Sequence, residues 1–139
     1  MDITQAIQAI QVIWRNVEGI RPDAAPNDPS DKAEPLPRVL TYEATSETDV
    51  SQMHGDTWAP QTGTIHSDLM LPRTELGAST ARARAMVKEF LLAMKANPNL
   101  SGTLMITSPI RARYMSWDFG GTTVIGYRIE IEYEGELVD

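Results

Sequence analysis

Residues 124–134 read Val-Ile-Gly-Tyr-Arg-Ile-Glu-Ile-Glu-Tyr-Glu, and they give the clearest indication of the fold. Apolar and polar side chains alternate along it, which is typical of a strand with one buried and one wet face. Antiparallel sheets that are covered on one side carry this pattern. The side chains predicted to face the core are Ile125, Tyr127, Ile129, Ile131 and Tyr133, and those predicted to face water are Arg128, Glu130, Glu132 and Glu134.

Three more strands are predicted upstream. Residues 118–121 read Asp-Phe-Gly-Gly, a hairpin signal, so a strand running from 103 to 117 with a kink at Pro109 is expected before them. β-Branched and aromatic residues predict strands at 38–45 and 64–71. In the latter, Ile65, Leu69 and Leu71 point to one face, and Thr64, His66, Asp68 and Met70 point to the other.

Two segments have the period of an amphipathic helix. The first covers residues 3–18, and Gly19 offers the left-handed conformation that ends it. The second covers residues 79–96 with Thr74 as a candidate cap, and Asn97 and Pro98 stop it. Their apolar stripes are Ile3, Ala6, Ile7, Ile10, Ile13, Trp14 and Val17 in the first helix, and Ala83, Met86, Val87, Phe90, Leu91 and Met94 in the second.

The element order is therefore α–β–β–α–β–β in a single domain spanning residues 1–139. We expect an α+β fold, a two-layer sandwich in which two helices pack on one face of a mainly antiparallel four-stranded sheet. Two long connections interrupt it. Residues 21–37 form a proline-rich loop that contains five of the nine prolines, and residues 46–63 form a long polar loop.

Composition excludes several function classes. The formal charge of −7 argues against a nucleic-acid clamp, which needs a dense cationic face. The chain has no cysteine, which excludes disulfide scaffolds and thiolate metal sites. No apolar run approaches the ~20 residues of a membrane span, so no membrane contact is expected.

Two imidazole–carboxylate pairs are the candidates for chemistry. His54 precedes Asp56 and His66 precedes Asp68 by two residues, a spacing that puts both side chains on one face of a strand. His66 and Asp68 would hold a metal or form a hydrogen-bonded pair. A catalytic zinc needs three protein ligands, and the chain has only two histidines. We therefore expect no catalytic residue, metal or cofactor, and interpret the glutamates at 130–136 as a solvated strand face.

Side chains that suit an interface are present in surplus. Large apolar groups lie in or beside predicted turns, and basic groups lie on the outer side of the second helix. Aromatic residues and methionine are enriched at protein–protein contacts, although they also fold back onto a protein's own core. The residues predicted to contact another protein chain are Met53, His54, Trp58, Arg82, Arg84, Lys88, Trp117 and Phe119.

The order of motifs resembles a known family. An amphipathic helix leads into a proline-bearing loop and a strand, and Asp56-Thr57-Trp58 follows. Next come the strand 65–72, which ends in Leu-Pro before the long helix, and a Tyr-containing strand, a turn and residues 127–134. In this order the chain resembles, over nearly its whole length, the tail terminator proteins of long-tailed bacteriophages, the lambda-type minor tail protein U group.

The resemblance implies an α/β sandwich and a structural role in the virion. Such proteins are made in the host cytoplasm and form a hexameric ring of identical copies at the head-proximal end of the tail. The ring caps the tail tube protein, ends its polymerisation and docks the head-completion or neck protein. DNA passes through the lumen without specific binding.

Three alternatives remain open from the sequence. The first is a tail-completion or head-closure protein of similar size and fold. The second is another structural adaptor that binds a partner through residues 22–37. The third is a small hydrolase or metal enzyme that uses His66 and Asp68, with His54 supplied by the loop before them.

Overall fold

The structure, a computed structural model, is an α+β fold with two helices and a five-stranded antiparallel sheet. It describes residues 3–20, 36–48, 58–73, 76–98, 100, 105–107, 109–119 and 121–138. The elements in chain order are α1 (Ile3–Arg15), β1 (Arg38–Thr48), β2 (Trp58–Pro72), α2 (Leu76–Ala96), β3 (Met105–Ile106), β4 (Arg111–Phe119) and β5 (Thr122–Val138).

Strand β5 is the central strand of the sheet. It pairs with β2 along one side, and with β4 and then β3 along the other, while β1 lies beyond β2. The segment with the most regular alternation of apolar and polar side chains is therefore the strand that pairs with three others, β2, β3 and β4. The hairpin predicted at residues 118–121 joins β4 to β5, with Phe119 opposite Thr122 and Gly121 at a φ of 89°.

Both helices lie over the same face of the sheet. Cross-strand pairs place Val39 beside Leu69 and Ile65 beside Ile131, and these side chains are buried in one core with residues of α1 and α2. The predicted orientation of β2 is confirmed, because Ile65, Leu69 and Leu71 all belong to this core. We call this side of the sheet the helix-side face and the opposite side the open face.

A chain of buried hydrogen bonds joins α1 to the sheet. Trp14 Nε1 donates to Ser67 Oγ over 2.7 Å, and Thr41 Oγ1 donates to Gln11 Oε1 over 2.6 Å. Gln11 Nε2 in turn donates to the Val39 carbonyl over 3.2 Å. The one hydroxyl proton of Thr41 is used on Gln11, so Ser67 donates across the 2.8 Å between the two hydroxyls. This polar line sets the position of α1 across β1 and β2.

The two helices meet through an aromatic stack. The rings of Trp14 and Phe90 lie 4.1 Å apart at 10° to each other, and both side chains are fully buried. Aromatic pairs add to the free energy of burial when stacked in this way. Gly19 has the predicted left-handed backbone, with a φ of 93°, but α1 ends four residues before it, at Arg15, and not at the predicted residue 18.

The sheet has five strands and not the predicted four, because the segment before the hairpin is split at Pro109. Ile106 pairs with Tyr133 and Arg111 with Glu130, so the four residues 107–110 lie opposite only two residues of β5, 131 and 132. Proline has no N–H to donate to a ladder. The excess residues break the pairing, and β3 and β4 become separate strands on the same side of β5.

The predicted loop at 46–63 is also corrected. Strand β1 continues to Thr48 and β2 begins at Trp58, so only residues 49–57 lie between the strands, and these are outside the described part of the chain. Residues 58–63 pair with the end of β5, as Thr62 does with Glu134. Of the proline-rich loop, only Leu36 and Pro37 are described.

None of the helices described here is long and apolar enough to cross a membrane.

Candidate functional site on the open face and the second helix

The open face of the sheet carries rows of mostly polar side chains. In one row β1, β2, β5 and β4 contribute Leu40, Asp68, Arg128 and Arg113. The adjacent row contains Tyr42, His66, Glu130 and Arg111. The alternation at a period of two brings these residues to one face, as expected for His66 and Asp68.

Asp68 is the centre of this face. Although it points away from the helices, it is only 3% exposed. Arg128 Nε donates to Asp68 Oδ1 over 2.9 Å, Arg128 Nη2 donates to Oδ2 over 3.2 Å, and Tyr42 Oη donates to Oδ2 over 2.9 Å. A two-point contact between guanidinium and carboxylate is among the strongest hydrogen-bonded pairs in proteins. Arg128, predicted to face water, is instead half-buried over this carboxylate.

The pKa shifts around Asp68 follow from burial and this network. Burial, followed by the hydrogen bond to Asp68, raises the pKa of Tyr42 to about 12. The bond to Asp68 is also the main reason that the pKa of Arg128 is raised. Burial and the nearby Arg128 charge lower the pKa of His66. These shifts keep Tyr42 protonated and favour the neutral imidazole near neutral pH.

His66 and Asp68 both contact side chains of neighbouring strands. The His66 ring packs edge-on against Tyr42 with centroids 5.7 Å apart, while both carboxylate oxygens of Asp68 accept hydrogen bonds from Arg128 or Tyr42. Within the described residues, no group of three or more His, Asp or Glu side chains is arranged to hold a metal ion. His54, the proposed third member, lies outside those residues.

The acidic side of β5 has basic partners on β4. Arg113 Nη2 lies 3.4 Å from Glu130 Oε1, and Arg111 Nη2 lies 3.9 Å from Glu132 Oε1. These pairs are solvent-accessible and contribute little stability, about 0–1 kcal/mol each. Strand β5 is therefore a central strand of the sheet, and two of its glutamates have basic partners within the chain.

An acidic rim lies at one end of the open face. Glu47, Thr62, Glu134 and Met105 form one row across β1, β2, β5 and β3. A shallow cavity of about 470 Å³ is lined by Glu47, Glu132 and Glu134 together with threonine hydroxyls. Met105, next to Glu134, is 58% exposed. The row thus presents an apolar side chain among carboxylates.

An apolar groove runs along α2 on the helix-side face. It has a volume of about 370 Å³ and is lined by Val87, Leu91, Leu92 and Tyr127, with Arg84, Lys88 and Lys95 as its basic residues. The Arg84 Nε group donates to Tyr127 Oη over 3.4 Å. Beyond Tyr127, Tyr114 of β4 packs edge-on with centroids 5.7 Å apart and remains exposed. Strand β4 therefore extends past the helix layer.

The predicted contact residues do not form one surface. Arg84 and Lys88 line the groove, whereas Arg82 lines another cavity beside Glu18 and Glu89. Trp117 lies on the open face near the hairpin, opposite Val124. The backbone of Trp58 begins β2 and that of Phe119 ends β4. Met53 and His54 lie outside the described residues.

Sequence reasoning missed four residues of these surfaces. Leu92 lies within a helix and Met105 within a strand, and the sequence around them does not mark them as exposed. Their exposure depends on which part of the sheet the two helices cover. The signal for Leu92 was its position between Lys88 and Lys95 on the basic side of the helix. Arg111 and Arg113 alternate along β4 and could have been matched to the alternating glutamates of β5.

Compared with models of protein families and with curated proteins, the sequence matches none of them.

Proposed function

We propose that this protein is a structural virion component that assembles into a ring of identical copies on the tail tube of a long-tailed bacteriophage. The ring ends tube polymerisation and offers the surface on which the head docks. The proposal combines the resemblance in motif order with the α+β architecture. It involves no bond making or breaking, and the protein acts through shape and self-association.

The observation that carries the proposal is the position of β4. Within the described residues β4 pairs only with β5, and its side chains are largely exposed on both faces because the helices lie over β1, β2 and β5. Edge strands with uncovered faces are sites at which proteins pair or dock with other chains. Arginines on one side and Tyr114 on the other make this strand suited to contact with a protein neighbour.

The charge of the chain agrees with a DNA conduit. With a formal charge of −7, the protein has no excess of cations with which to retain phosphates. A ring of such subunits lets DNA pass without binding it specifically. The open face, where Asp68, Glu130 and Glu132 offset the neighbouring arginines, has the mixed charge that this role needs.

The direct test is arrest of tube growth. The purified protein is added to polymerising tail tube protein of the same virus, and tube lengths are measured by electron microscopy. We expect short tubes capped at one end by a ring. Tubes of unchanged length without caps would contradict the proposal.

A pull-down separates the terminator from a neck protein. A terminator binds the end of the tube directly, whereas a head-closure protein binds the neck and leaves the tube uncapped. Retention on immobilised tubes supports the terminator. Retention only on neck protein would instead identify the chain as a head-closure protein, which lies nearer the head than the terminator.

A further inference from the structure

The groove on α2 has the properties of a binding site for an apolar group surrounded by carboxylates. Leu92, in its wall, is 59% exposed, although a large aliphatic side chain on a helix usually faces the core. Arg84, Lys88 and Lys95 add three positive charges within the twelve helical residues 84–95, whose first and last Cα atoms are ~16 Å apart along the axis. In a chain with net charge −7, this is a local concentration of cations.

The acidic row at the end of the open face has the complementary properties. Met105 is 58% exposed and is paired in register with Glu134, while Glu47 lies two strands further along the same row. Four strands at a spacing of ~4.8 Å span ~14 Å from the first to the last. The row and the groove are therefore similar in length.

We propose that the groove on α2 of one copy binds the acidic row of the next copy, with Met105 seated between Leu92 and Tyr127 and the carboxylates of Glu47 and Glu134 against the groove's cations. This inference rests on the proposed function, since it names the contact between ring subunits. Apolar contact supplies the affinity, and opposite charges set the register of the two copies.

The placement of the two surfaces makes the contact head-to-tail. The groove is on the helix-side face and the acidic row is on the open face, so one copy cannot use the same patch toward both neighbours. Different patches on the two partners give a heterologous interface, which closes into a ring when the rotation between copies is right. A two-fold dimer would need a self-complementary patch instead.

Charge reversal on either side tests the contact. Lys88→Glu changes the groove and Glu134→Lys changes the row, and both side chains are exposed. We expect each variant to unfold at the temperature of the wild type, and its association constant, measured by sedimentation, to fall by at least about tenfold. Arg73→Glu is the matched control, because Arg73 is exposed and lies in neither surface, and it should associate like the wild type.

An equimolar mixture of the two variants gives the strongest test. In a ring in which the variants alternate, one interface places the lysine at 134 against the glutamate at 88, and the next interface has the wild-type residues on both sides. We therefore expect the mixture to form an assembly with the mass of the wild-type ring. If the mixture stays at the low mass of the separate variants, or if Lys88→Glu alone assembles normally, the contact is wrong.

The same experiment distinguishes this inference from the proposed function. A wild-type protein that assembles on tubes while both reversals leave its assembly intact would overturn the contact and leave the ring in place. A wild-type protein that stays a monomer at every concentration, with and without tail tubes, would overturn both.

Discussion

Asp68 shows how one side chain can differ from its sequence pattern. Alternation along β2 correctly assigns it to the face opposite the core, but does not reveal that it is almost fully buried there. The burial arises because Arg128 and Tyr42, from the strands on either side, close over the carboxylate. Pairing across strands decides this environment, and a single sequence does not state which residues are paired.

Replacing Asp68 should destabilise the fold. Asp68→Ala leaves the half-buried Arg128 guanidinium without its carboxylate and removes the acceptor of Tyr42. We expect the free energy of unfolding in urea to fall by about 2–3 kcal/mol. Asp118→Ala, at an exposed aspartate near the hairpin, is the control and should change it by less than about 1 kcal/mol. Equal effects of the two substitutions would contradict a buried ion pair.

His66 should make stability depend on pH. Its pKa is lowered in the folded protein from the ordinary 6.5 by burial and by Arg128, so below that pH the unfolded chain binds more protons than the folded one. This contribution to stability is complete above about pH 6.5 and is lost as pH falls toward the folded-state pKa. Urea unfolding between pH 7.5 and 5 should show a shallower decline for His66→Gln than for the wild type. Identical slopes would show that His66 titrates normally.

At the scale of elements, the helices and strands that depend on local residue patterns could be predicted from the sequence. The strand boundaries that depend on pairing between strands could not. The helices and the alternation of β5 follow from residue periodicity, and the turn before β5 follows from its glycines. The length of β2 does not, because residues 58–63 include Pro60 and Gly63, which are unfavourable in strands, and this segment is held as a strand by its pairing with β5. The split at Pro109 likewise depends on the register against β5, which no local signal contains.

A glycine comparison tests the packing of β5 against β2. At Gly126 a Cβ would collide with the backbone carbonyl of Leu69 and lie 3.2 Å from the Met70 Cα, whereas at Gly77 in α2 it would meet nothing. We expect Gly126→Ala to lower the free energy of unfolding by about 3 kcal/mol. Gly77→Ala should raise it by up to about 1 kcal/mol through helix propensity. Thermal unfolding measures both, and a neutral Gly126→Ala would contradict the close approach of the two strands.

At the scale of the whole molecule, the sheet has one covered face and one open face, and its most exposed large apolar residues, Leu92 and Met105, lie on opposite sides of it. Composition and motif order indicated a protein that acts by association. They did not show which surfaces meet, because exposure depends on the extent of the helix layer. The basic residues expected to act together are divided between two sides of α2.

The proposed ring requires identical copies of the chain to join around a central channel. Native mass spectrometry of the purified protein, over rising concentration and in the presence of tail tubes, measures this assembly. We expect a closed species with six times the 15.4 kDa mass of one chain. A single mass of one chain under all of these conditions would contradict it.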